Sequence, residues 1–444
     1  MKIHFIGIGG IGVSALARHY LAKGHQVSGS DLSESEITED LERLGAEIVI
    51  GPHQAKNLPE RVDKIVYSVA VELDNPELKR AEGSGIEVQT YPQALGELTR
   101  HYFTIAVCGA HGKGTTTALI SLAMIKDELD PTVIIGTNLK EFGGGNCRIG
   151  KSKYLVIEAD EYGKAFLNYQ PQMIVITNID KEHLDCYQDL DDIIGTFLEF
   201  TEHLPDNGVL IVNEDDKNSA TILDKLALGN REIETKFYSL AQAEAESIRK
   251  ILKIPGEHNI SNALGALAAV RQLDISDTIS LLAFGEYQGA WRRFEIHKVW
   301  WDRKDIIVIS DYAHHPNEIK ATLAGAREKF PQSKIWAVFQ PHQYQRTHYL
   351  FDEFLSAFDG ADEIVLTEIY SVAGREKKEI MRQVSSQKLA EALKNKGAQV
   401  SLVEDFEQIP KFLEDRLNSG DVVLIMGAGT IYKIVDKFAP KNKF

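Results

Sequence analysis

A short glycine-rich segment has the residue types and spacing of a phosphate-binding loop. Gly109, Gly112 and Lys113 stand between the strand-like run "FTIAVC" and a long helical run. Backbone N–H groups of such a loop can surround phosphate oxygens, and the lysine can neutralise charge on the β- and γ-phosphates. The pattern therefore predicts a nucleoside triphosphate site. The next residue, which ordinarily supplies a hydroxyl to Mg²⁺, is Gly114 in this chain.

Polar side chains follow the next strand-like runs, "KYLVI" and "MIVIT". Ligands bind at the carboxyl ends of strands in parallel α/β sheets, and a carboxylate there can bind Mg²⁺ directly or through water. His183 is a candidate because it accompanies carboxylates, whereas a lone histidine is more often structural. The candidates are Glu158, Asp160, Glu161, Asn178, Asp180, His183 and Asp185.

A second glycine motif opens the chain. Gly7, Gly9 and Gly12 have G-x-G-x-x-G spacing between a strand-like and a helical run, and Asp31 ends the next strand-like run. Such glycines permit a tight turn and let a phosphate approach a helix N-terminus. By itself this motif is typical of a dehydrogenase, or of close packing without a ligand. Because a triphosphate loop follows, we expect this site to hold the diphosphate of a nucleotide-linked substrate.

The elements that must position these residues alternate along the chain. Apolar strand-like runs and amphipathic helical runs succeed one another almost throughout, which predicts an α/β fold with parallel sheets. The length of 444 residues predicts several domains, and we place them at residues 1–99, 100–294 and 295–444. In the third region, Trp300 and Trp301 are expected to pack in a hairpin closed by "DRKD".

Composition excludes several classes of protein. A net charge of −16 argues against a general nucleic-acid binder. No apolar run is long enough for a membrane-spanning helix, and the three cysteines have no metal-ligand spacing, which favours a reducing compartment. We therefore expect a soluble cytoplasmic protein, monomeric or homodimeric, without nucleic-acid or membrane partners.

The ordered motifs resemble those of the Mur ligase family along nearly the whole chain. This resemblance implies a Rossmann-like N-terminal domain for a UDP-sugar, a central P-loop ATPase domain and a dinucleotide-fold-like C-terminal domain for an amino acid. It also implies ATP-dependent ligation of L-alanine to UDP-N-acetylmuramate through an acyl phosphate, a step of peptidoglycan synthesis, with Mg²⁺ as cofactor. The motifs are "GIGGIGVSALA", "YSVAVELDNPEL", "GAHGKGTTT", "EADEY", "TNIDKEH", "GEHNISNALGALAA", "RRFE", "DYAHHPNEI", "FQPHQYQRT" and "GAGTIYK".

The resemblance also assigns site residues. Those expected to act in catalysis are Lys113, Glu158, His183 and Arg293. The expected UDP-sugar site comprises Gly7, Gly9, Gly10, Gly12, Ser14, Asp31, Ser68 and Ala70. The expected ATP site comprises Gly109, His111, Gly112, Lys113, Gly114, Thr115, His258, Asn259, Arg293 and Asp311. The amino-acid site comprises Tyr312, His314, His342 and Arg346, and the metal site comprises Thr115, Glu158 and His183.

Some positions depart from the family pattern and leave alternatives open. With Gly114 in place of threonine, Thr115 or water could complete the Mg²⁺ shell, or metal binding could be impaired. Gln343 stands where many relatives have arginine, so that contact is not carried over, and Arg292 is interpreted as a surface ion pair. The alternative functions are a ligase that adds a whole peptide to the same UDP-sugar, a catalytically impaired binding relative and, more remotely, a dehydrogenase.

Overall fold

The computed structural model describes residues 1–183, 186–227, 233–372 and 376–438. The candidate Asp185 and the C-terminal tail at 439–444 lie outside this description. The chain divides into two compact units. The first contains Met1–Asp180, Leu190–Ile251 and Ser261–Tyr287, and the second contains Lys181–Asp189, Leu252–Ile260 and Gln288–Phe444. None of the helices among the described residues is both long and apolar enough to span a membrane.

The first sheet of the first unit has the Rossmann strand order. Its elements are β1 (Lys2–Ile6), α1 (Ile11–Ala22), β2 (Gln26–Asp31), α2 (Glu36–Arg43), β3 (Glu47–Ile50), β4 (Lys64–Tyr67), α3 (Pro76–Ala81), β5 (Glu87–Thr90) and α4 (Tyr91–Thr99). The five parallel strands follow the order β3-β2-β1-β4-β5. Because the order reverses at β1 and β4, the loops after these strands flank the place where such sheets bind ligands.

Helix starts in this region follow local sequence signals. Ser35 and Thr38 form a capping box at α2, and Thr90 and Gln93 form another at α4. Each box satisfies N–H groups that a helix start leaves without intrahelical partners. These caps fix where each helix begins relative to the strand before it.

The second sheet of the first unit has seven strands. Its elements are β6 (Phe103–Cys108), α5 (Lys113–Lys126), β7 (Thr132–Leu139), β8 (Gly145–Arg148), β9 (Tyr154–Glu158), β10 (Met173–Ile176), α6 (Leu190–Thr201), β11 (Val209–Asn213), α7 (Lys217–Ala227), β12 (Glu234–Tyr238), α8 (Glu244–Ile251), α9 (Glu257–Arg271) and α10 (Asp277–Glu286). The strand order is β12-β11-β10-β6-β9-β7-β8, with only the β7–β8 pair antiparallel. Since β6 lies between β9 and β10, the loops after these three strands are neighbours.

The sheet of the second unit has six strands. Its elements are β13 (Glu295–Trp301), β14 (Lys304–Asp311), α11 (Pro316–Lys329), β15 (Ile335–Phe339), α12 (Tyr344–Tyr349), α13 (Phe351–Phe354), β16 (Glu363–Leu366), α14 (Lys378–Met381), α15 (Ser386–Asn395), β17 (Val400–Leu402), α16 (Ile409–Glu414), β18 (Val422–Met426) and α17 (Val435–Phe438). The order is β13-β14-β18-β15-β16-β17, and only the β13–β14 hairpin is antiparallel. The loops after β14, β15 and β18 therefore share one edge.

The predicted tryptophan hairpin is present, but its two indoles differ. Trp301 pairs with Lys304 across the turn and packs on Phe438 with ring centroids 4.9 Å apart. Trp300 is 68% exposed and contributes little to packing. The predicted α/β fold class is confirmed, while the proposed boundaries at 1–99, 100–294 and 295–444 stay predictions.

Candidate active site

The loop after β1 needs glycine for three different reasons. Gly7 has a φ of 74°, in the left-handed region that favours glycine. A Cβ at Gly9 would lie 2.9 Å from Asp31 Oδ2, and one at Gly12 would lie 2.8 Å from the Tyr91 ring. The Gly9 N–H donates to Asp31 Oδ2 at 2.8 Å. Asp31, one of the residues predicted to bind the UDP-sugar, is thus hydrogen-bonded to the glycine loop.

The other residues predicted to bind the UDP-sugar lie on the same edge of the sheet. Gly10 directly precedes α1, and Ser14 is buried in its first turns. Ser68 and Ala70 follow β4, and the Ala70 N–H donates to Ser68 Oγ at 3.3 Å. A Cβ at Gly7 would lie 3.1 Å from the Ser68 Cβ, so the two loops are in contact. The sequence therefore predicted a set of residues that the fold brings together.

A buried carboxylate, Glu77, belongs to a hydrogen-bond network that reaches this loop. Glu77 is fully buried; one of its oxygens lies 2.9 Å from His4 Nε2 and the other 2.7 Å from His53 Nδ1. The Ser30 hydroxyl donates to Glu77 at 2.9 Å, while the Ser30 carbonyl accepts from the Gly7 N–H at 2.8 Å. The network therefore connects a buried charge to the first glycine of the loop. Burial alone would raise the pKa of Glu77, but hydrogen bonds from His4, His53 and Ser30 hold this pKa below its usual value.

We expect Glu77→Gln to reduce stability in a pH-dependent way. Because the folded-state pKa is lowered, the carboxylate stabilises the fold above its unfolded pKa, near 4.5, and loses this contribution as the pH falls through the folded-state value. At pH 7 the variant should lose about 2 kcal/mol, as for loss of hydrogen bonds to a charged group. Urea unfolding of both proteins from pH 7 to pH 3 measures the difference, because the contribution is lost below the unfolded pKa. A difference that stays constant over this range would contradict the assignment.

The loop after β6 also depends on its glycines. Gly109 has a φ of 136°, and a Cβ there would lie 2.1 Å from Thr177 Oγ1. Gly112 has a φ of 83°, and its Cβ would lie 2.1 Å from Asn262 Oδ1. Because the backbone lies this close to its neighbours, no side chain fits at either position. The first N–H groups of α5, which begins directly after this loop, have no intrahelical acceptor and suit an anion.

Lys113 lies over the loop and against a buried carboxylate. Its Nζ donates to Gly109 O at 2.6 Å and to Ala110 O at 3.2 Å, and lies 2.9 Å from Glu161 Oε2. Glu161 is 2% exposed. Burial lowers the pKa of Lys113, but Glu161 and the neighbouring carboxylates raise it above its usual value. Lys113 is therefore cationic at neutral pH, with its charge held at the loop.

The Glu158 carboxylate lies beside the first turn of α5. Its Oε2 accepts from the Gly136 N–H at 2.7 Å, and a Cβ added at Gly114 would lie 3.3 Å from the same oxygen. Thr115, the next residue of the helix, is 6% exposed. Carboxylate and hydroxyl oxygens are the donors that Mg²⁺ prefers, so the residues around this turn fit the ion.

We expect Gly114→Thr to lower the Mg²⁺ concentration needed for half-maximal activity several-fold. A Cβ at this position would lie 3.3 Å from Glu158 Oε2 and 3.5 Å from Thr137 Cγ2, so a Cβ fits there with a small shift of the carboxylate. Its hydroxyl would add an oxygen ligand near the carboxylate. The matched control is Gly114→Ala, which adds the Cβ without the hydroxyl. Superimposable Mg²⁺ titrations for the two variants would rule out a metal role for position 114.

The sequence predicted only some of the residues that support this loop. The His111 N–H donates to Asn178 Oδ1 at 2.9 Å, and Asn178 Nδ2 returns a bond to His111 O at 2.8 Å. Thr177 Oγ1 donates to the same carbonyl at 2.6 Å. Asn262, which lies against Gly112, follows Asn259 by three positions and so shares its helix face. The three-residue spacing from Asn259 is the sequence signal that could have identified Asn262.

In the second unit, Asp311 is buried at the end of β14. Its two oxygens accept from the N–H groups of Phe294 and Ala313, both at 2.7 Å. Burial raises the pKa of Asp311 despite these donors and the nearby Arg293. The Arg293 guanidinium lies 3.6 Å from Glu318 and is 40% exposed. The Arg293 side chain is therefore accessible to a ligand, while the Asp311 carboxylate fixes the backbone at Phe294 and Ala313.

The interpretation of Arg292 as a surface ion pair is wrong. Arg292 is 5% exposed, and its guanidinium lies 4.4 Å from the Tyr432 ring centroid, 4.8 Å from that of Tyr312 and 5.5 Å from that of Trp291. It also donates to the carbonyl of Gly427, in the loop after β18. The Arg292 guanidinium thus interacts with aromatic rings and a carbonyl oxygen, where an ion pair would have a carboxylate.

The residues predicted to bind the amino acid form a cluster in the second unit. The rings of Tyr312 and His314 have centroids 5.2 Å apart, and those of His314 and His342 have centroids 5.8 Å apart. Arg346 Nη1 lies 3.2 Å from His342 Nδ1. These residues follow β14 and β15, so the shared edge of the sheet explains their proximity.

Arg346 has a partner that the sequence did not indicate. Its Nη2 donates to Glu182 Oε2 at 2.9 Å, although the two residues are 164 positions apart. Burial alone would raise the pKa of Glu182, but Arg346 holds this pKa well below its usual value. No local pattern in the sequence indicates a pairing over such a separation.

Asp160 and Asp180 belong to the first unit, whereas His183 and the part of α9 that precedes Ser261 belong to the second unit. His183 follows Glu182 directly and has a φ of 58°. His258 and Asn259 lie in the first turn of α9, where Asn259 Nδ2 donates to Pro255 O at 2.6 Å. The other two metal candidates lie in the first unit. The role of His183 as a metal ligand stays a prediction.

Comparison with protein families gives three matches in chain order. The description "Mur ligase family, catalytic domain" matches residues 2–103, "Mur ligase middle domain" matches residues 107–270, and "Mur ligase, glutamate ligase domain" matches residues 292–429. Together they cover most of the chain. The first and last matched ranges each contain a whole sheet, and the middle range contains its sheet except for the first residues of β6. The predicted order of the three parts is thus found again by an independent comparison.

Individual relatives are similar over nearly their whole length. The chain is 42% identical to a UDP-N-acetylmuramate–L-alanine ligase of Clostridium acetobutylicum, over 99% of this chain and 98% of the relative. The crystal structure of a UDP-N-acetylmuramate–alanine ligase from Thermotoga maritima matches with a TM-score of 0.80 at 28% identity, covering 99% and 98% of the two chains. A murein peptide ligase of Psychrobacter arcticus shares the fold, with a TM-score of 0.73 at 24% identity over 99% and 98%.

Proposed function

The chain belongs to the Mur ligase family, and we propose that it joins L-alanine to UDP-N-acetylmuramate with conversion of ATP to ADP and phosphate. The observation that carries this proposal is the 42% identity, over 99% of the chain, to a relative named for that reaction. The reaction begins the peptide of peptidoglycan. Because it consumes ATP, we place it in the cytoplasm.

Chemistry explains why a phosphate loop accompanies a carboxylate substrate. A carboxylate is a poor acyl donor until its oxygen attacks the γ-phosphorus of ATP, which releases ADP and leaves an acyl phosphate. The amine of L-alanine then attacks the acyl carbon, loses a proton, and displaces phosphate together with the bridging oxygen. Both partners of the first step are anions, so charge neutralisation dominates its barrier.

The residues of the first unit are suited to that neutralisation. Lys113 carries a positive charge at the loop, where the γ-phosphate of ATP would lie, and the start of α5 supplies backbone donors. Mg²⁺, held by Glu158 with Thr115 or water, would further neutralise the phosphate oxygens. The glycine loop after β1 would receive the diphosphate of the UDP-sugar. In the second unit, Arg346 would bind the alanine carboxylate.

The second candidate is a ligase that adds a whole peptide to the same UDP-sugar. A murein peptide ligase shares this fold, but the relatives at 38–42% identity are named for L-alanine. Phosphate release should therefore be measured with ATP, Mg²⁺ and UDP-N-acetylmuramate across a panel of amino acids and a tripeptide.

We expect L-alanine to give the largest kcat/KM in that panel. Preference for the tripeptide would establish the second candidate instead. Absence of phosphate release with every acceptor, together with normal nucleotide binding, would establish an impaired binding relative.

A further inference from the structure

The Glu182–Arg346 pair is buried but incompletely satisfied. The side chain of Glu182 is 6% exposed and that of Arg346 is 9% exposed. Glu182 Oε2 accepts from Arg346, whereas Oε1 is buried and has no hydrogen-bond donor among the described residues. A buried carboxylate oxygen without a donor is costly and rare in native proteins. Glu182 Oε1 is therefore available for a donor that the protein does not supply.

Both members of the pair line one small cleft of the second unit. Gln343, Gln345, Tyr349 and Leu350 contribute to its walls. The cleft contains about 290 Å³ of empty space, part of which is open to solvent. The cleft is small and partly open to solvent, so it suits only a ligand of few atoms beside the ion pair.

The charges of the cleft match those of a free α-amino acid. The ion pair is neutral overall, with one positive and one negative group side by side. A free amino acid is also neutral overall, with an ammonium and a carboxylate on the same carbon. Arg346 alone would attract any carboxylate, whereas the pair distinguishes a carboxylate that carries an adjacent ammonium. Such discrimination requires a protein group that the wrong ligand leaves without a hydrogen-bond partner.

We propose that Glu182 is a specificity residue that accepts a hydrogen bond from the ammonium of the incoming amino acid, while Arg346 binds its carboxylate. This inference rests on the proposed function, because it takes the ligand to be an amino acid. Glu182 acts in binding the zwitterion, and the ammonium gives up one proton to water before the neutral amine attacks the acyl carbon. Its removal should affect recognition of the amine and leave the nucleotide sites unchanged.

The test compares L-alanine with propionate, which has the same carbon skeleton without the amine. For each enzyme we would measure KM for L-alanine and the inhibition constant of propionate against L-alanine. In the wild type propionate should bind more weakly than L-alanine by about tenfold or more, the size expected for a charged hydrogen bond. In Glu182→Gln this ratio should fall to near one, with the KM values for ATP and UDP-N-acetylmuramate unchanged.

Two further variants separate recognition from folding. Glu182→Asp keeps the charge, so it should retain preference for L-alanine over propionate even if both bind more weakly. Glu353→Gln removes an equal charge from an exposed position on α13 and should leave both constants unchanged. If Glu182→Gln does not fold, the preference in Glu182→Asp decides, and its loss there would overturn the proposal.

The result that overturns the inference is a uniform effect. If Glu182→Gln weakens L-alanine and propionate by the same factor, or leaves KM for L-alanine unchanged, Glu182 only supports Arg346. Failure of the proposed function looks different, because the wild type itself would then release no phosphate with L-alanine. In that case calorimetric titration of the same variants with L-alanine and propionate still tests the cleft.

Discussion

Lys113→Met will lower kcat by about 10³-fold, the size expected when a preorganised charge that stabilises the transition state is lost. Lys113 is cationic, lies over the loop at Gly109 and faces the place proposed for the γ-phosphate. Methionine has a similar length and no charge. The variant will also be less stable by about 3–5 kcal/mol, because it leaves the buried Glu161 without its cation. Single-turnover phosphate release and urea unfolding measure the two effects.

A double variant distinguishes catalysis from stability. Lys113→Met combined with Glu161→Gln removes both charges, so most of the lost stability should return while activity stays low. Recovery of turnover to within tenfold of the wild type would show that Lys113 acts only by pairing with Glu161. The KM for UDP-N-acetylmuramate should remain unchanged in both variants.

Glu158→Gln will lower turnover by about 10²–10³-fold, as expected for loss of one charged group at a phosphoryl-transfer site, and will raise the Mg²⁺ requirement. The amide oxygen can still accept from the Gly136 N–H, as the carboxylate does at 2.7 Å, so the fold should be retained. The variant therefore loses only the negative charge of Glu158 beside α5. A Mg²⁺ titration of phosphate release, together with thermal unfolding, measures both consequences.

Asp160→Asn is the comparison for this variant, because Asp160 is the neighbouring carboxylate among the candidate ligands. Asp160 is two residues further along the chain and exposed, and its loss removes the same charge without touching the Gly136 contact. We expect its loss of turnover to be at least about tenfold smaller than that of Glu158→Gln, because exposed charges are screened by solvent. Equal losses would mean that general negative charge, and no particular contact, determines the Mg²⁺ requirement.

The sequence could predict the sites that are built from one strand and the loop after it. Gly7 and Gly112 are recognisable because a left-handed backbone beside a strand end favours glycine, and spacing shows where it is needed. The parallel sheets follow from the alternation of strand-like and helical runs. Since carboxyl ends of neighbouring parallel strands share an edge, Tyr312, His314 and His342 could be expected near one another.

Contacts between distant segments could not be predicted in the same way. Glu182 and Arg346 are 164 residues apart, and nothing local marks them as partners. Arg292 and Arg293 are adjacent and chemically identical, but the left-handed backbone at Arg292 (φ 56°) places one in an aromatic cluster and leaves the other partly exposed. Only the tertiary packing determines which arginine is buried.

The central claim is that ATP activates the lactyl carboxylate of UDP-N-acetylmuramate as an acyl phosphate before L-alanine attacks. The direct test uses substrate labelled with ¹⁸O in both carboxylate oxygens, with mass spectrometry of the phosphate and the amide product. The account predicts one ¹⁸O in each phosphate released and one ¹⁸O in the new amide. Amide formation with unlabelled phosphate would contradict it, because the carboxylate oxygen would then never have been bonded to phosphorus.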